Sequence, residues 1–503
     1  MVRRGLLWIT LAALMSATSG GAAAATVRLA ASTPLSAFAD PLGLDVGTGI
    51  LPTIFDGLTR IGPDGAVEPA LAVSWRAETD TRWVFEVRPN VVFSDGTPCD
   101  ATAVAAYFNL LVGPEGRSAP IASEVDGIVG ARALGPLTVE ITTRAKDARL
   151  PRKLKRAHIF STTAFTAQGR VAFAKSPIGT GPYRAAAWAI GGSGVTLVGV
   201  PTSWRAPEQI DRVEVKIIPD RSSRLQSLLA DETDIASNLD PDSIETLRQA
   251  GLRAHVQAGP VILALAFRAV GDAAPALQDR RVRLALNMAV DRNAIARDLL
   301  AGTAEVATQI ATPDVVGYDP GISAYPYNVA RARALLADAG YPNGFGITAG
   351  VFGGQIPGDT AVFQRVAQDL AVVGVRLEIR QLPFSEFSRR TQSGQWTGFD
   401  VFSGVWSHYG LGDISRSAER HSCLHSTPWF CEAEVTPLIQ SANDEMDPVV
   451  RAQRLRAVTA AFHDVVPSLL LTRYASIDGL SRRVAHYETV IDAIMFGKMR
   501  VRD

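Results

Sequence analysis

The sequence predicts an α/β protein, and three features carry that prediction. Segments with the two-residue period of half-buried strands alternate with segments of helical period along the whole chain. The helical segments carry their own punctuation. Asp279, Asp291 and Asn328 each stand before an apolar stripe, Gly302 and Gly340 follow two of them, and Pro342 prevents continuation. Third, residues 347–352, 359–373 and 375–382 read as strand, helix and strand, the order of a parallel pair joined by a helical crossover.

In chain order, 26–32 reads as a first strand, followed by a loop broken by Pro and Gly through Gly49. Residues 50–60 lead into a hairpin whose turn is Gly62-Pro63-Asp64-Gly65. Residues 83–87 alternate as a strand. Asp100 is placed to cap a helix over 101–111 with Val104, Tyr107, Phe108 and Leu111 on one stripe, and 137–143 is another strand. In SPIGTGPYR, from Ser176 to Arg184, two glycines and Pro182 describe a shaped turn. It opens a hairpin of 183–190 and 195–200 with its turn at 191–194. A strand over 213–218, a helix over 221–230 and a short buried strand at 234–236 follow. Farther on, 399–406 is an apolar strand running into a loop rich in Gly, His and Tyr. Pro448 starts a long helix to Val466, and 468–474 is a last buried strand.

The totals exclude several classes. At 503 residues the chain has room for two to four domains. With 47% apolar and 20% charged residues it is neither disordered nor multi-spanning. Fifty basic residues balance fifty acidic ones, so no global field recruits nucleic acid or anionic lipid. Arg3 and Arg4, the apolar run 6–17 and the small residues ending at Ala23 and Ala25 read as a secretory leader over 1–25, cut before Thr26. The competing reading, a retained anchor, needs a longer apolar run, of about 20 residues. Three cysteines are present. Cys423 and Cys431 enclose a short segment in a chain bound for an oxidising compartment, which points to a disulfide, and Cys99 is left as a small, partly buried residue.

A set of segments then falls into a family order: IFDGL (54–58), PALAVSW (69–75), FEVRPNVVFSDGTP leading into ATAVAAYF (85–108), SPIGTGPYR, ADETDIA (230–236), RRVRLALNMAVDRNAI (280–295) and ARALLADAGYPNGF (332–345). With this order and spacing, the mature chain resembles the extracytoplasmic solute-binding proteins of ABC importers, in the oligopeptide, dipeptide and nickel-binding branch known as family 5. The resemblance implies a two-lobed periplasmic-binding-protein fold of type II with an extra subdomain inserted in the first lobe. Residues 26–54, 176–262 and 474–503 would form lobe I, 55–175 the insertion and 263–473 lobe II. It also implies a periplasmic monomer without cofactor, which closes over a small solute and docks on a permease of the inner membrane.

Peptide-binding relatives carry W-x-x-D on the second lobe, where the carboxylate receives the peptide's amino terminus. Here Trp406 is followed by His408, Tyr409 in the acid's place, and a late carboxylate at Asp413. An ammonium buried without an acid is costly, so an ordinary peptide is disfavoured. Trp406 and Tyr409 are expected to stack on a planar or apolar solute, with His408 and the phenol as polar contacts; core packing of Trp406 is the competing reading. Between 144 and 156 stand seven basic residues against Asp147 alone. By analogy with relatives that bind chelated metal, Arg152 and Arg156 are candidates to hold solute carboxylates; a solvated charged face is the alternative. Together these residues favour an acidic or aromatic solute. His421 and His425 flank Cys423 and leave nickel–chelate binding as an alternative, although two histidines at that spacing are a weak metal signature. An exported enzyme or chemosensory receptor on the same fold is the rival class. The sequence contains no nucleophile elbow, zinc-protease helix, phosphate loop or dinucleotide fingerprint to support an enzyme.

Overall fold

The computed structural model describes residues 25–32, 42–43, 50–188, 194–354, 356–490 and 493–502. The expected leader, except Ala25, and most of the expected turn at 191–194 lie outside these residues.

One ten-stranded sheet organises the molecule. At one end Tyr183–Trp188, Gly194–Gly199 and Ile210–Ile217 pair antiparallel in succession, and Ile210–Ile217 lies parallel to Ala25–Ala31. Ala25–Ala31 is parallel to the short strand Ile235–Ala236, which runs antiparallel to Ser468–Leu480. Ser468–Leu480 pairs with the fifteen-residue strand Arg253–Phe267, and that strand pairs with Val401–Ser407. Phe345–Val351 and Val375–Gln381 complete the other end, parallel as the strand–helix–strand reading expects, with helix Asp359–Val372 between them in sequence.

Arg253–Phe267 and Ser468–Leu480 therefore lie side by side in the middle of the sheet, and the buried apolar residues divide between their two ends. One large core gathers residues from Val261 to Leu471, and the other gathers Val27 to Ile235 with Leu480 to Val501. A separate antiparallel sheet of four strands, Ala72–Thr79, Arg82–Val87, Ile128–Ala133 and Thr138–Thr143, contributes its apolar face to the latter core. Helix Ala101–Val112 is capped by Asp100, whose carboxylate accepts from the Ala103 amide at 3.0 Å, and it buries the expected stripe.

The other caps stand where the sequence puts them: Asp279, Asp291 and Asn328 each accept from an amide of the following turn. After Asp291, however, the helix lasts only from Arg292 to Ala294 before a wider turn, Ile295–Leu299, and Gly302 follows at a φ of 69°. In SPIGTGPYR the glycines serve a different purpose from the one expected. A Cβ at Gly179 would lie 2.1 Å from the Ile54 carbonyl oxygen, and one at Gly181 would lie 2.3 Å from that of Thr53. Neither has a positive φ, so close backbone approach demands glycine there, not turn geometry. The long strand Arg253–Phe267 and the continuation of the last strand from Ala475 to Leu480 are absent from the sequence reading. The first six residues of Arg253–Phe267 are partly exposed and the last nine are buried, so no single period runs through it.

The pairing of the two crossing strands is interrupted. Ala258 faces Ala475 and Ile262 faces Arg473, leaving Gly259, Pro260 and Val261 opposite Tyr474 alone. Such a bulge breaks the ladder locally and bends the strand.

Candidate functional site

The residues singled out from the sequence fall into two environments. Trp406 has no exposed surface. Its ring stacks on His421 at 3.9 Å with 19° between planes, meets Phe462 edge-on, and donates from Nε1 to Ser468 Oγ at 3.1 Å. In this closed arrangement it has no face to offer a solute, so the packing alternative describes it and the stacking role does not. His408 is also buried and donates from Nε2 to the Ile310 carbonyl at 2.8 Å; burial pushes its pKa down and keeps the ring neutral. The strand Val401–Ser407 aims both residues into the protein because it sits between Arg253–Phe267 and Phe345–Val351 with a core on its faces.

His421 donates from Nδ1 to the Ser417 carbonyl at 2.9 Å, and His425 turns its ring toward Trp429. Burial lowers the pKa of His421 to about 3. Its ring and its Nδ1 are thus committed to the interior. Among the described residues no group of three or more His, Cys, Asp or Glu is placed to hold a metal. Cys423 and Cys431 are bonded, and Cys99 is a buried thiol whose pKa burial raises.

Arg152 and Arg156 occupy the other environment, a polar seam where the two cores face each other. The carboxylates they meet are the protein's own, contrary to the expectation that both reach toward a solute. Arg152 donates from Nη1 to the carbonyls of Gly65 (2.7 Å) and Leu411 (2.9 Å), and its Nε lies 3.4 Å from Asp413 Oδ2. Asp413 is fully buried and also held by Arg451 at 2.8 Å and by the amide and hydroxyl of Ser415. Burial alone would raise its pKa. Arg451 and then Arg152 outweigh that, and hold the carboxyl well below the usual range. Arg156 pairs with Glu124 at 3.1 Å, and Arg416 bonds the second oxygen of the same carboxylate. Glu124 follows the same pattern: burial opposes ionisation, Arg156 and Arg416 overcome it, and the pKa is lowered. Arg149 reaches Glu419 at 2.6 Å, and Lys155 donates to the Tyr409 carbonyl at 3.0 Å.

Backbone fits closely across this seam. The turn at Gly65 approaches so near that a Cβ there would stand 2.9 Å from the carbonyl oxygens of Asp314 and Gly412. Gly412, at a φ of 64°, has the Ile61 side chain 2.7 Å from its Cβ position. Tyr409 is half-buried over the crossing strand, its hydroxyl 2.7 Å from where a Cβ of Gly259 would be. Elsewhere between the cores, Arg221 donates to the Gly354 carbonyl at 3.1 Å. A small void lined by Pro241, Thr303, Ile356 and Tyr474, among others, has space for about one water molecule. A depression of about 570 Å³ beside Arg28, Lys216 and Glu232 lies on a face of the sheet across the strands from Ala25–Ala31 to Tyr183–Trp188, away from the seam.

The sequence reading missed Glu124, Glu419, Arg416 and Arg451. Nothing local marks them, since each acquires its role from a partner brought up by the fold.

The profile of the bacterial extracellular solute-binding proteins, family 5 Middle, matches residues 66–415. The chain belongs to this family. Family 5 members are periplasmic substrate-binding components of ABC importers and not enzymes; they deliver their ligand to a membrane permease. Among curated relatives, the chain is 26% identical over 320 residues to di/tripeptide-binding protein 2 of Pseudomonas aeruginosa, a match spanning 62% of this chain and 59% of that protein. It is 24% identical over 425 residues, 80% of each chain, to the glutathione-binding protein GsiB of Shigella flexneri. Among solved structures, NikA from Brucella suis in complex with Fe(III)-EDTA superposes with a TM-score of 0.80 at 21% identity, covering 95% of this chain and all of that one. The binding protein DppA from Helicobacter pylori in complex with the peptide STSA superposes with a TM-score of 0.78 at 20% identity, covering 95% and 98%. These neighbours share the two-lobed fold. Among the described residues of this family 5 protein, no helix is long and apolar enough to cross a membrane.

Proposed function

We propose that this family 5 protein captures an acidic or aromatic solute between its two lobes and hands it to its permease, and that the solute is not an ordinary peptide held by a free amino terminus. The observation that carries this reading is the fate of the carboxylate beyond Trp406. Tyr409 replaces the acid of W-x-x-D. Asp413, the next carboxylate, is fully buried and already engaged by Arg451, Arg152 and Ser415. An ammonium arriving there would meet a phenol and a neutral, buried His408, and its desolvation would go uncompensated. Charge around the seam supports an anion: Arg149, Arg152, Lys153, Lys155, Arg156, Arg416 and Arg451 outnumber Glu124, Asp147, Asp413 and Glu419. The two curated relatives are named for binding di/tripeptides and glutathione, so peptide-derived solutes form part of the panel.

The test is thermal stabilisation of the purified protein against rising solute concentration, since a ligand that binds only the folded state raises the melting temperature by mass action. A free-amine tripeptide, its N-acetylated form and an acidic solute that carries no amine, such as citrate, make the comparison. Stabilisation by the acidic or amine-blocked solutes beyond that by the free peptide is expected. Equal or greater stabilisation by the free-amine peptide would overturn the reading.

A further inference from the structure

The seam has a property that a permanent brace between two bodies does not need. Each of its central carboxylates holds one partner from across the seam and another from its own side. Asp413 is gripped by Arg152 from across, and by Arg451 and Ser415 from its own core's helix and turn. Glu124 receives Arg416 from across and keeps Arg156. Glu419 takes Arg149 from across and keeps Asn443 at 2.7 Å, while Arg149 itself keeps Asp147. Breaking a buried ion pair is costly chiefly when it leaves a lone charge in a dry site. Here separation strands none of these carboxylates in a dry site: Asp413 keeps Arg451, Glu124 keeps Arg156, and the partly exposed Glu419 keeps the Asn443 amide. Around these groups the two apolar cores are closed separately, so parting the seam exposes mostly charged and backbone polar groups that water accepts, with Ile61 and Leu411 among the few apolar side chains released.

We propose that the segment 149–156, with Glu124 and the segment 409–419, is an electrostatic latch that holds the lobes together before any solute is bound, and that it is built to release without cost in folding. This inference rests on the seam's geometry and is independent of which solute the protein carries. Closure without solute then depends on ionic strength. At about 10 mM salt the screening length is ~30 Å, and at about 1 M it is ~3 Å, so partly exposed pairs such as Arg149–Glu419 are progressively weakened.

The test uses the full exported chain with no solute added, measured by small-angle X-ray scattering across that salt range. The radius of gyration is expected to increase with salt. Glu419→Gln, which keeps an oxygen for Asn443, and Arg149→Gln should each shift the population at low salt about two- to five-fold toward the open form. The double variant should shift it no further than either single one, because the two groups act through each other. Circular dichroism and melting temperature should stay near those of the parent. A radius indifferent to salt and to both substitutions, additive shifts in the double variant, or loss of the fold would each overturn the proposal. The last result would mark the seam as a structural brace.

Discussion

Trp406 and Arg152 were drawn from the sequence for the same purpose, and the fold puts them to opposite uses. Trp406 lies in a dry interior where ring stacks on ring and its indole nitrogen has a partner. Arg152 lies in a seam where cations meet carboxylates and carbonyls over distances of 2.7 to 3.4 Å. In the interior, substitution removes packing that nothing replaces. In the seam, most groups hold a second partner, so substitution redistributes contacts. The first region sets how stable the protein is, and the second how its two bodies meet.

The comparison breaks most visibly at Trp406. Trp406→Ala is expected to cost about 3–5 kcal/mol, the range for truncating a large buried aromatic, measured by urea unfolding. A loss below about 1 kcal/mol would show that the ring is not part of the core and would return it to the list of solute contacts.

Acid separates the two regions next. Burial pushes His158 and His421 down to about 3, and both sit against the apolar cores. Their folded pKa is depressed below the unfolded value of about 6.5, so their contribution is complete above that value and is lost as pH falls, because the unfolded chain takes up protons that the native state refuses. Between pH 7 and pH 5 each accounts for about 2 kcal/mol, read as a drop in unfolding free energy. The pKa values of Glu124 and Asp413 are lowered, and both stay ionised through this window, so their ion pairs are untouched by it. His421→Gln should flatten the pH dependence. An unchanged slope would place that proton uptake elsewhere.

The smallest effect belongs to the seam. Arg416→Gln leaves Glu124 with Arg156 and should cost about 1 kcal/mol or less in unfolding free energy, the range of partly exposed ion pairs. A loss as large as that of Trp406→Ala would erase the distinction between the two regions.

What was readable from the sequence follows the same division. Caps at Asp100, Asp279 and Asn328, and the strand–helix–strand unit from 345 to 381, depend on neighbours a few residues away, and each formed as its local pattern requires. Arg149 meets a carboxylate 270 residues along the chain, and Arg152 a carbonyl 259 residues along. A run of positive charge announces that partners are needed without saying whose they are. Trp406 was ambiguous for a related reason: an aromatic at a strand end satisfies a core and a ligand face equally well, and only His421, fifteen positions on, decides between them. The crossing strand Arg253–Phe267 escaped because its surroundings change halfway along its length.

The three-against-one stretch at Gly259, Pro260 and Val261 has a mechanical consequence. Both chain crossings run side by side in one sheet, and a bulge of this kind bends its strand and increases the local twist. The proposed latch thus draws on side chains from distant segments, whereas the bulge belongs to the backbone of one strand. Tyr409 touches both: its carbonyl takes Lys155, and its phenol lies over Gly259. A substituent on that ring would be felt at the bulge and at the seam together.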